Sequence, residues 1–337
     1  MLELTYETFA RKRRELKHRL EVLLRSEELQ QYRELWHEHD AEPVFCTAAG
    51  VDGSSNCIRY KSLLLYAVNA VAVSYDGSMR EQGCADVDFL IPYKYPSERV
   101  DLYRSTMELK VALSAADDVE LLLLDGSLHS ALTAPKQWWR FMEEDKVEEV
   151  MSYLPVLEEN RGMELLAKRL GSRLDAEQVM LLEYLEYLVA IQKLIERGVH
   201  SLVAVAKTST DSSFNRGIPD MAVLEEITSG PGYSIPRDRM IKMHYPIYDD
   251  FFRSLVFTRF YARLERGKDM LMIELPREVG DEEIRKLLSR LRHLSVEGYP
   301  YLLKRAHRRV VISNREIERI ATSLGIGEKT GREVLAW

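Results

Sequence analysis

The sequence is poor in cysteine, has no CxxC pair and carries no excess of positive charge. Its three cysteines, Cys46, Cys57 and Cys84, are too few for a disulfide framework, and their spacing indicates no structural zinc site. The net charge of −7 argues against a protein that coats nucleic acid through a basic surface. It still allows an enzyme that cuts nucleic acid and confines its basic residues to one groove.

Long apolar runs are also missing. Residues 63–73 are interrupted by Asn69, and the run is shorter than the roughly 18 residues that a membrane-spanning helix needs. Residues 1–4 lack the basic and apolar blocks of a signal peptide. We therefore expect a soluble, cytoplasmic protein without membrane contact.

The remaining composition is that of an ordinary globular protein, with 337 residues, 46% of them hydrophobic and 30% charged. Leucines at helical spacing among many charges predict an N-terminal helical arm at 1–40, with helix over 2–40. No repeat or low-complexity linker divides residues 41–337, which we expect to form one α/β domain. A helical insertion is predicted at about residues 136–198.

The first half of this domain has the pattern of a sheet. Apolar residues 44–51 and 62–74 and the alternating residues 85–91 predict an antiparallel meander of about three strands, with Asp76-Gly77 as a hairpin turn. An amphipathic helix is predicted from Pro96, with Ser97 as its N-cap, to about residue 115, followed by a buried strand at 119–124. A helix between two strands favours their parallel pairing.

The second half of the domain alternates between helix and strand signals. Asp175 opens a capping box before a long apolar helix that ends near Gly198. Further predicted elements are the strands 201–206, 252–264 and 270–275, the helices 280–293 and 315–324, and a loop rich in Gly and Pro at 229–236.

The tripeptide Asp-Gly-Ser occurs three times, beginning at Asp52, Asp76 and Asp125. Asp-Gly is a favoured turn pair, so a turn alone is the simplest explanation of each copy. Asp76 fits that explanation, because it lies between two predicted strands. Asp52 and Asp125 each follow an apolar strand without an immediate hairpin, and carboxylates at the ends of neighbouring strands can bracket a divalent cation.

Glu108 supplies a third carboxylate, at the edge of the apolar stripe of the predicted helix; Glu98 and Glu120 lie nearby in the sequence. Oxygen ligands suit Mg²⁺ or Mn²⁺, and two such metals stabilise the attacking and leaving oxygens of a phosphoryl displacement. Strand carboxylate, meander, helix carboxylate and strand carboxylate is the order of acidic residues in ribonuclease H-like nucleases. We therefore expect a ribonuclease H-like mixed sheet core, with the helical insertion and the N-terminal extension.

Residues 285–309 are strongly basic and contain a single acid, Glu297. They include Lys304 and Arg305 next to tyrosines, a combination that suits phosphate contacts and base stacking. An exposed basic face with tyrosines in the core explains the segment equally well.

Taken in order, these motifs resemble the NurA nuclease family of archaea and some bacteria. The resemblance spans residues 51–307 and is carried by Val51-Asp52-Gly53-Ser54, Met107-Glu108-Leu109, Leu122–Leu128, Val205–Ser209, Tyr299-Pro300 and Ala306-His307. It implies a dimeric, manganese-dependent DNA nuclease with 5′→3′ exonuclease and single-strand endonuclease activity. It also implies action with the hexameric HerA helicase in processing DNA double-strand breaks, with Mn²⁺ as cofactor and Mg²⁺ as the alternative.

The resemblance also implies roles for individual residues. Asp52, Glu108, Asp125 and His307 would bind metal, and His307 would bind metal or assist proton transfer. Tyr299 would position the phosphate or the water. Among basic residues, Lys207 would contact a backbone phosphate, and we expect Lys304 and Arg305 to bind DNA as well.

Two other functions stay open at the sequence level. A ribonuclease on the same scaffold needs the same carboxylates, because these do not separate RNA from DNA. A non-catalytic adaptor of a helicase would explain the charged N-terminal helix. The chain has no GxxxxGK[ST] loop, so ATP-driven movement would have to come from a partner.

Overall fold

The computed structural model describes residues 3–24, 29, 31–60, 63–134, 138–214 and 217–326. The strands are β1 Trp36–Glu38, β2 Ala48–Arg59, β3 Leu64–Tyr75, β4 Met79–Phe89, β5 Leu121–Asp125, β6 Leu202–Ala206, β7 Gly232–Ser234, β8 Arg237–Met240, β9 Val256–Arg263, β10 Leu271–Leu275, β11 Ser295–Val296 and β12 Tyr299–Pro300. The α-helices are α1 Glu3–Leu24, α2 Pro96–Ala115, α3 Leu128–Thr133, α4 Glu144–Met151, α5 Leu154–Glu159, α6 Leu166–Leu170, α7 Ala176–Gly198, α8 Asp220–Ile227, α9 Asp249–Ser254, α10 Asp281–Leu294, α11 Tyr301–Val310 and α12 Asn314–Ser323.

A ten-stranded mixed sheet organises the fold, in the order β1-β7-β9-β10-β6-β5-β2-β3-β4, with β8 paired to β9. Strands β2, β3 and β4 form an antiparallel meander, and the Asp76-Gly77 turn joins the last two, with Gly77 at φ 102°. Strand β5 pairs in parallel with β2 on one side and with β6 on the other. The predicted meander and the parallel pairing across the connecting helix are therefore confirmed.

Helices cover the centre of the sheet on both faces. One apolar cluster joins Val51 of β2 to α2 and α7, and a second joins Val205 of β6 to α10 and α11. Helix α11 approaches β2 so closely that a Cβ on Gly50 would lie 2.6 Å from the backbone carbon of Leu302. Glycine at this position is what lets α11 lie against the sheet.

The long helices have clear local causes. Helix α7 begins with the predicted capping box, in which Asp175 accepts hydrogen bonds from the backbone N–H groups of Glu177 and Gln178. Helix α2 begins at Pro96, but its N-cap is Tyr95, not the predicted Ser97, because Pro occupies the first helical position. A buried ion pair between Arg99 of α2 and Glu183 of α7, 2.7 Å apart, fixes the two helices to each other.

Three predicted boundaries are wrong. The N-terminal arm was expected to be helical to residue 40, but α1 ends at Leu24, and residues 36–38 form β1 at the edge of the sheet. The loop at 229–236 contains β7, the partner of β1. Residue 252, expected at the start of a strand, lies in α9, and β9 begins only at 256.

Other expectations agree with the structure. Among the described residues, 138–198 contain helices and 3-10 helices and no strand. Helices α10 and α12 lie where helices were predicted, and α11 lies in the basic segment 285–309, where no helix was predicted at residues 301–310. Cys46, Cys57 and Cys84 form no disulfide bond within the described residues. No helix within the described part of the chain is long and apolar enough to cross a membrane.

Candidate metal centre

Asp52 lies in the interior of β2, not at a strand end as the sequence suggested. The strand continues through Asp-Gly-Ser because β3 pairs with all twelve of its residues, and Asp52 stands opposite Val71. The parallel pairing with β5, however, covers only residues 48–51 of β2. Asp52 is therefore the first residue of β2 beyond its paired stretch with β5, and it is 8% exposed.

Asp125 is the last residue of β5, as predicted. The register pairs Val51 with Leu124, so the next residue on each strand is an aspartate, and the two carboxylates are neighbours. The chain leaves the strand at Gly126, which has a φ of 103°, in the left-handed region that favours glycine. Ser127 then caps α3 by accepting a hydrogen bond from the Ser130 N–H.

His307 reaches the same point from α11. Its Nδ1 lies 2.8 Å from Oδ2 of Asp52, and Oδ1 of Asp52 accepts a hydrogen bond from the Gly53 N–H at 2.8 Å. Asp52, Asp125 and His307 each offer one ligand atom, and these three atoms lie within 4.8 Å of one another. Two carboxylates and an imidazole form a donor set that suits Mn²⁺.

Glu108 approaches from the opposite face of the sheet. A Cβ on Gly53 would lie 2.5 Å from Cγ and 2.6 Å from Oε1 of Glu108, so the missing side chain leaves the space that Glu108 occupies. Oε1 of Glu108 also accepts a hydrogen bond from Nη1 of Arg104 at 3.3 Å. Glu108 is thus beside the two aspartates, although it does not belong to the three-residue group described above.

The crowding of carboxylates alters their proton affinity. Burial raises the pKa of Glu108 to about 7, and the charges of Asp52 and Asp125 add to this effect while Arg104 opposes it. Burial and the charge of Asp52 also raise the pKa of Asp125, against the positive charges of Lys207 and His307. A divalent cation placed among these groups would lower their pKa values, because its positive charge would offset the repulsion between the carboxylates.

Lys207 and Tyr299 border the aspartates. Lys207 follows β6, and its Nζ lies 4.3 Å from the centroid of the Tyr299 ring. The Tyr299 hydroxyl is buried and lies next to the Asp125 carboxylate. Burial, then the charges of Asp125 and Asp52, raise the pKa of Tyr299, which shows how close its hydroxyl is to the carboxylates.

Lys304 and Arg305, by contrast, are engaged elsewhere. Lys304 pairs with Glu297 at 3.2 Å, and Arg305 pairs with Glu81 at 2.9 Å. Other basic side chains of the segment, at Arg285, Lys286, Arg290, Arg292 and Arg309, also have acidic partners. The basic character of the segment is therefore largely compensated in the folded chain.

The two acidic alternatives to Glu108 do not reach the centre. Glu120 accepts a hydrogen bond from the Thr47 N–H at 2.9 Å, at the opposite end of β5 from Asp125. Glu98 is exposed in the first turn of α2.

Glu274, which is fully buried in β10, was not identified from the sequence. Its signal was available, since it is the one charged residue in the apolar strand 271–275.

Comparisons with known proteins place the whole chain among relatives of similar length. Residues 46–312 match the NurA domain. The chain is 27% identical over 339 residues to the DNA double-strand break repair nuclease NurA of Sulfurisphaera tokodaii, which covers 98% of this chain and 97% of the relative. It is 26% identical over 353 residues to a probable DNA double-strand break repair nuclease NurA of Methanocaldococcus jannaschii, covering 95% and 90% of the two chains.

Solved structures show the same fold. The crystal structure of the NurA nuclease from Sulfolobus solfataricus aligns with a TM-score of 0.82 at 22% identity, over 96% of this chain and 97% of that one. A crystal structure of NurA bound to dAMP and manganese aligns with a TM-score of 0.69 at 19% identity, over 98% and 99% of the two chains. With a domain match that extends over most of its length, the chain belongs to the NurA family.

Proposed function

We propose that this chain is a divalent-metal-dependent DNA nuclease, with 5′→3′ exonuclease and single-strand endonuclease activity, that processes the ends of DNA double-strand breaks. The observation that carries the proposal is the convergence of Asp52, Asp125 and His307 from β2, β5 and α11. The names of the relatives, and a NurA structure that contains dAMP and manganese, support it.

The residues of the site would have separate roles in phosphodiester hydrolysis. Asp52, Asp125 and His307 would hold Mn²⁺ or Mg²⁺, with Glu108 completing the site; the bound ion supplies charge stabilisation and an activated water. The Gly53 N–H fixes one oxygen of Asp52 and leaves the other facing His307. Lys207 would neutralise a backbone phosphate, and the buried Tyr299 hydroxyl beside Asp125 would orient that phosphate or the water.

We further propose that the core is ribonuclease H-like. The meander β2-β3-β4, the helix α2 with its carboxylate and the parallel strand β5 follow the order of acidic residues expected of that group. Residues 41–337 would form this nuclease domain, with helices α4–α7 as the insertion and α1 as the extension. The strand β1 lies before residue 41 and joins the same sheet.

For its assembly, we propose a homodimer that works with a HerA-type hexameric helicase in the cytoplasm. The family resemblance supports both partners. The sequence lacks the nucleotide-binding loop that ATP-driven movement needs, which is consistent with a separate motor.

The test is cleavage of single-stranded DNA with Mn²⁺ by Asp52→Asn and Asp125→Asn. We expect each variant to lose more than about a hundredfold in rate, because each removes a charged ligand. Asp76→Asn is the matched control, since it alters the Asp-Gly-Ser copy at 76–78, which lies in the turn between β3 and β4, and it should cut at the wild-type rate. Full activity of both site variants would refute the proposal. A matched RNA strand, digested in parallel, distinguishes a ribonuclease.

A further inference from the structure

A cavity of about 530 Å³ lies at the loop that follows Asp125, in the Asp-Gly-Ser copy at 125–127. It borders Gly126, the residue directly after Asp125, and it lies beyond the carboxyl ends of the parallel strands β5 and β6, where α/β sheets commonly bind ligands. Hydroxyl groups dominate its wall, contributed by Ser127, Ser130, Thr133, Thr208, Ser209 and Thr210. We call it the hydroxyl–arginine cavity.

Two arginines face this cavity, Arg239 from β8 and Arg259 from β9, and Asp211 is the acidic residue among the described residues of its wall. Both guanidinium groups pair with Asp211, Arg259 at 3.3 Å, and Arg259 pairs with Glu274 as well. Arg239 has no second acidic partner among the described residues, and its Nε is buried there without a hydrogen-bond partner. Arg239 is therefore the group with a donor left for a ligand.

The wall is rigidly built. Arg259 is 8% exposed, and its Nη2 lies 2.7 Å from the carboxylate of Glu274, which is fully buried and does not line the cavity. The same carboxylate accepts hydrogen bonds from the His129 N–H at 2.8 Å and from the Ser127 hydroxyl at 3.1 Å. Glu274 thus fixes the arginine and the loop after Asp125 in one unit, which is the preorganisation a binding site needs.

We propose that the hydroxyl–arginine cavity binds a backbone phosphate of the DNA strand, next to the phosphodiester held at the metal centre. Guanidinium groups beside hydroxyls are the donors that phosphate recognition uses. The described residues of the wall include no Phe, Tyr or Trp on which a base would stack; its one aromatic ring among them is that of His129, and its apolar side chains are Ala206 and Met272. This inference rests on the proposed function, because the metal centre is what makes the neighbouring phosphate part of a substrate.

The first experiment measures DNA binding in the Asp52→Asn protein without Mn²⁺, by fluorescence anisotropy with a labelled single strand. We expect Arg239→Gln to raise Kd about tenfold, the effect of losing one charged hydrogen bond. The slope of log Kd against log salt should fall by about 0.7, the value for one phosphate contact on a single strand. Arg237→Gln is the matched control on the same strand, outside the cavity wall, and should bind like its parent. An equal Kd for both arginine variants would overturn the proposal.

The second experiment replaces single phosphates of the strand by neutral methylphosphonates. In the Asp52→Asn parent we expect one position whose replacement weakens binding, and in Arg239→Gln we expect that same replacement to have no further effect. If a methylphosphonate at every position weakens binding equally in both proteins, the cavity does not bind a phosphate of the strand. Inorganic phosphate, titrated without DNA, tests the other source of the same chemistry; Arg239-dependent phosphate binding without a sensitive DNA position would overturn the assignment to DNA.

A second, smaller substitution tests whether a loss of binding in Arg239→Gln reflects misfolding. Thr208→Val removes one hydroxyl from the wall and keeps the shape of the side chain, so it should weaken binding less than Arg239→Gln at the same methylphosphonate position. Because both experiments measure binding only, the absence of a sensitive position in the Asp52→Asn parent refutes the cavity, whereas full cleavage by both Asp52→Asn and Asp125→Asn refutes the nuclease centre.

Discussion

At the scale of single residues, Asp52 and Gly53 serve opposite faces of one strand. Successive positions of a strand point in opposite directions, so Asp52 faces His307 of α11 while Gly53 faces Glu108 of α2. Because Gly53 has no side chain, Glu108 reaches the strand beside the two aspartates. The second residue of Asp-Gly-Ser is therefore as much a part of the site's construction as the first.

This arrangement predicts the outcome of Gly53→Ala. The added methyl would lie 2.5 Å from Glu108 and 2.9 Å from the backbone oxygen of Asn69, so Glu108 has to move. We expect a loss of about 1–3 kcal/mol in the free energy of unfolding, together with a fall in the cleavage rate. Gly280→Ala is the control, since nothing lies within 4 Å of the new methyl. Wild-type cleavage by Gly53→Ala would contradict the role given to Gly53.

The pKa of Glu108 predicts a pH-dependent stability in the metal-free protein. Since burial raises this pKa from 4.5 to about 7, the folded chain holds the proton more tightly than the unfolded chain does. The stabilisation that this gives is complete below about pH 4.5 and is lost as the pH rises through 7. Glutamine stays neutral, so Glu108→Gln should exceed wild type in unfolding free energy by up to about 3 kcal/mol at pH 8.

Urea unfolding in a chelating buffer at pH 5 and pH 8 measures this difference. The advantage of Glu108→Gln should shrink towards zero at the lower pH. Glu98→Gln, on the exposed first turn of the same helix, should show no such gain. An advantage for Glu108→Gln that is the same at both pH values would contradict the explanation by burial.

At the scale of elements, the helix pair α2–α7 holds Glu108 in place. Arg99 and Glu183, 1% and 2% exposed, join these helices in a bidentate ion pair that also includes the Tyr103 hydroxyl. Arg99→Met would leave a buried carboxylate unpaired, and we expect it to cost about 3–5 kcal/mol in thermal or urea unfolding. The double variant Arg99→Met with Glu183→Leu should regain much of that stability. A single variant as stable as wild type would show that the pair is dispensable.

Local signals in the sequence explain which elements were predictable. The capping box at Asp175 and the Asp76-Gly77 turn are short-range patterns, and both were identified correctly. Strands β1 and β7 have three residues each and exist because they pair with each other across about 196 positions of sequence, a contact that no local window contains. Helix α11 was not predicted, although its apolar residues have helical spacing, at Leu302, Leu303, Ala306 and Val310. The many basic residues of this segment were interpreted as a surface for phosphate.

The candidate site was predictable in composition but not in geometry. Asp52 and Asp125 were named from strand patterns, and the structure places them side by side. Glu108 reaches the strand through the space at Gly53 only because α2 covers that face of the sheet. The loop after Asp125 is held by a hydrogen bond between Ser127 and Glu274, which are 147 residues apart in the sequence. These are properties of the assembled sheet.

At the scale of the whole molecule, α1 leaves apolar side chains without cover. Leu4, Tyr6 and Phe9 are 71%, 63% and 50% exposed. If the chain forms the proposed homodimer, light scattering should give twice the chain mass of 39.1 kDa. We expect the Leu4→Ser, Phe9→Ser double variant to lower that mass if α1 contributes to the contact. A wild-type protein that stays monomeric at micromolar concentration would contradict the dimer.

The most direct test of the central claim is the position of manganese in a crystal soaked with Mn²⁺, located by anomalous scattering at the Mn absorption edge. The account predicts an ion within about 2.5 Å of a carboxylate oxygen of Asp52, a carboxylate oxygen of Asp125 and a ring nitrogen of His307. It also predicts that the anomalous peak disappears in Asp52→Asn. A peak bound by other residues, or no peak between these three at saturating Mn²⁺, would contradict it.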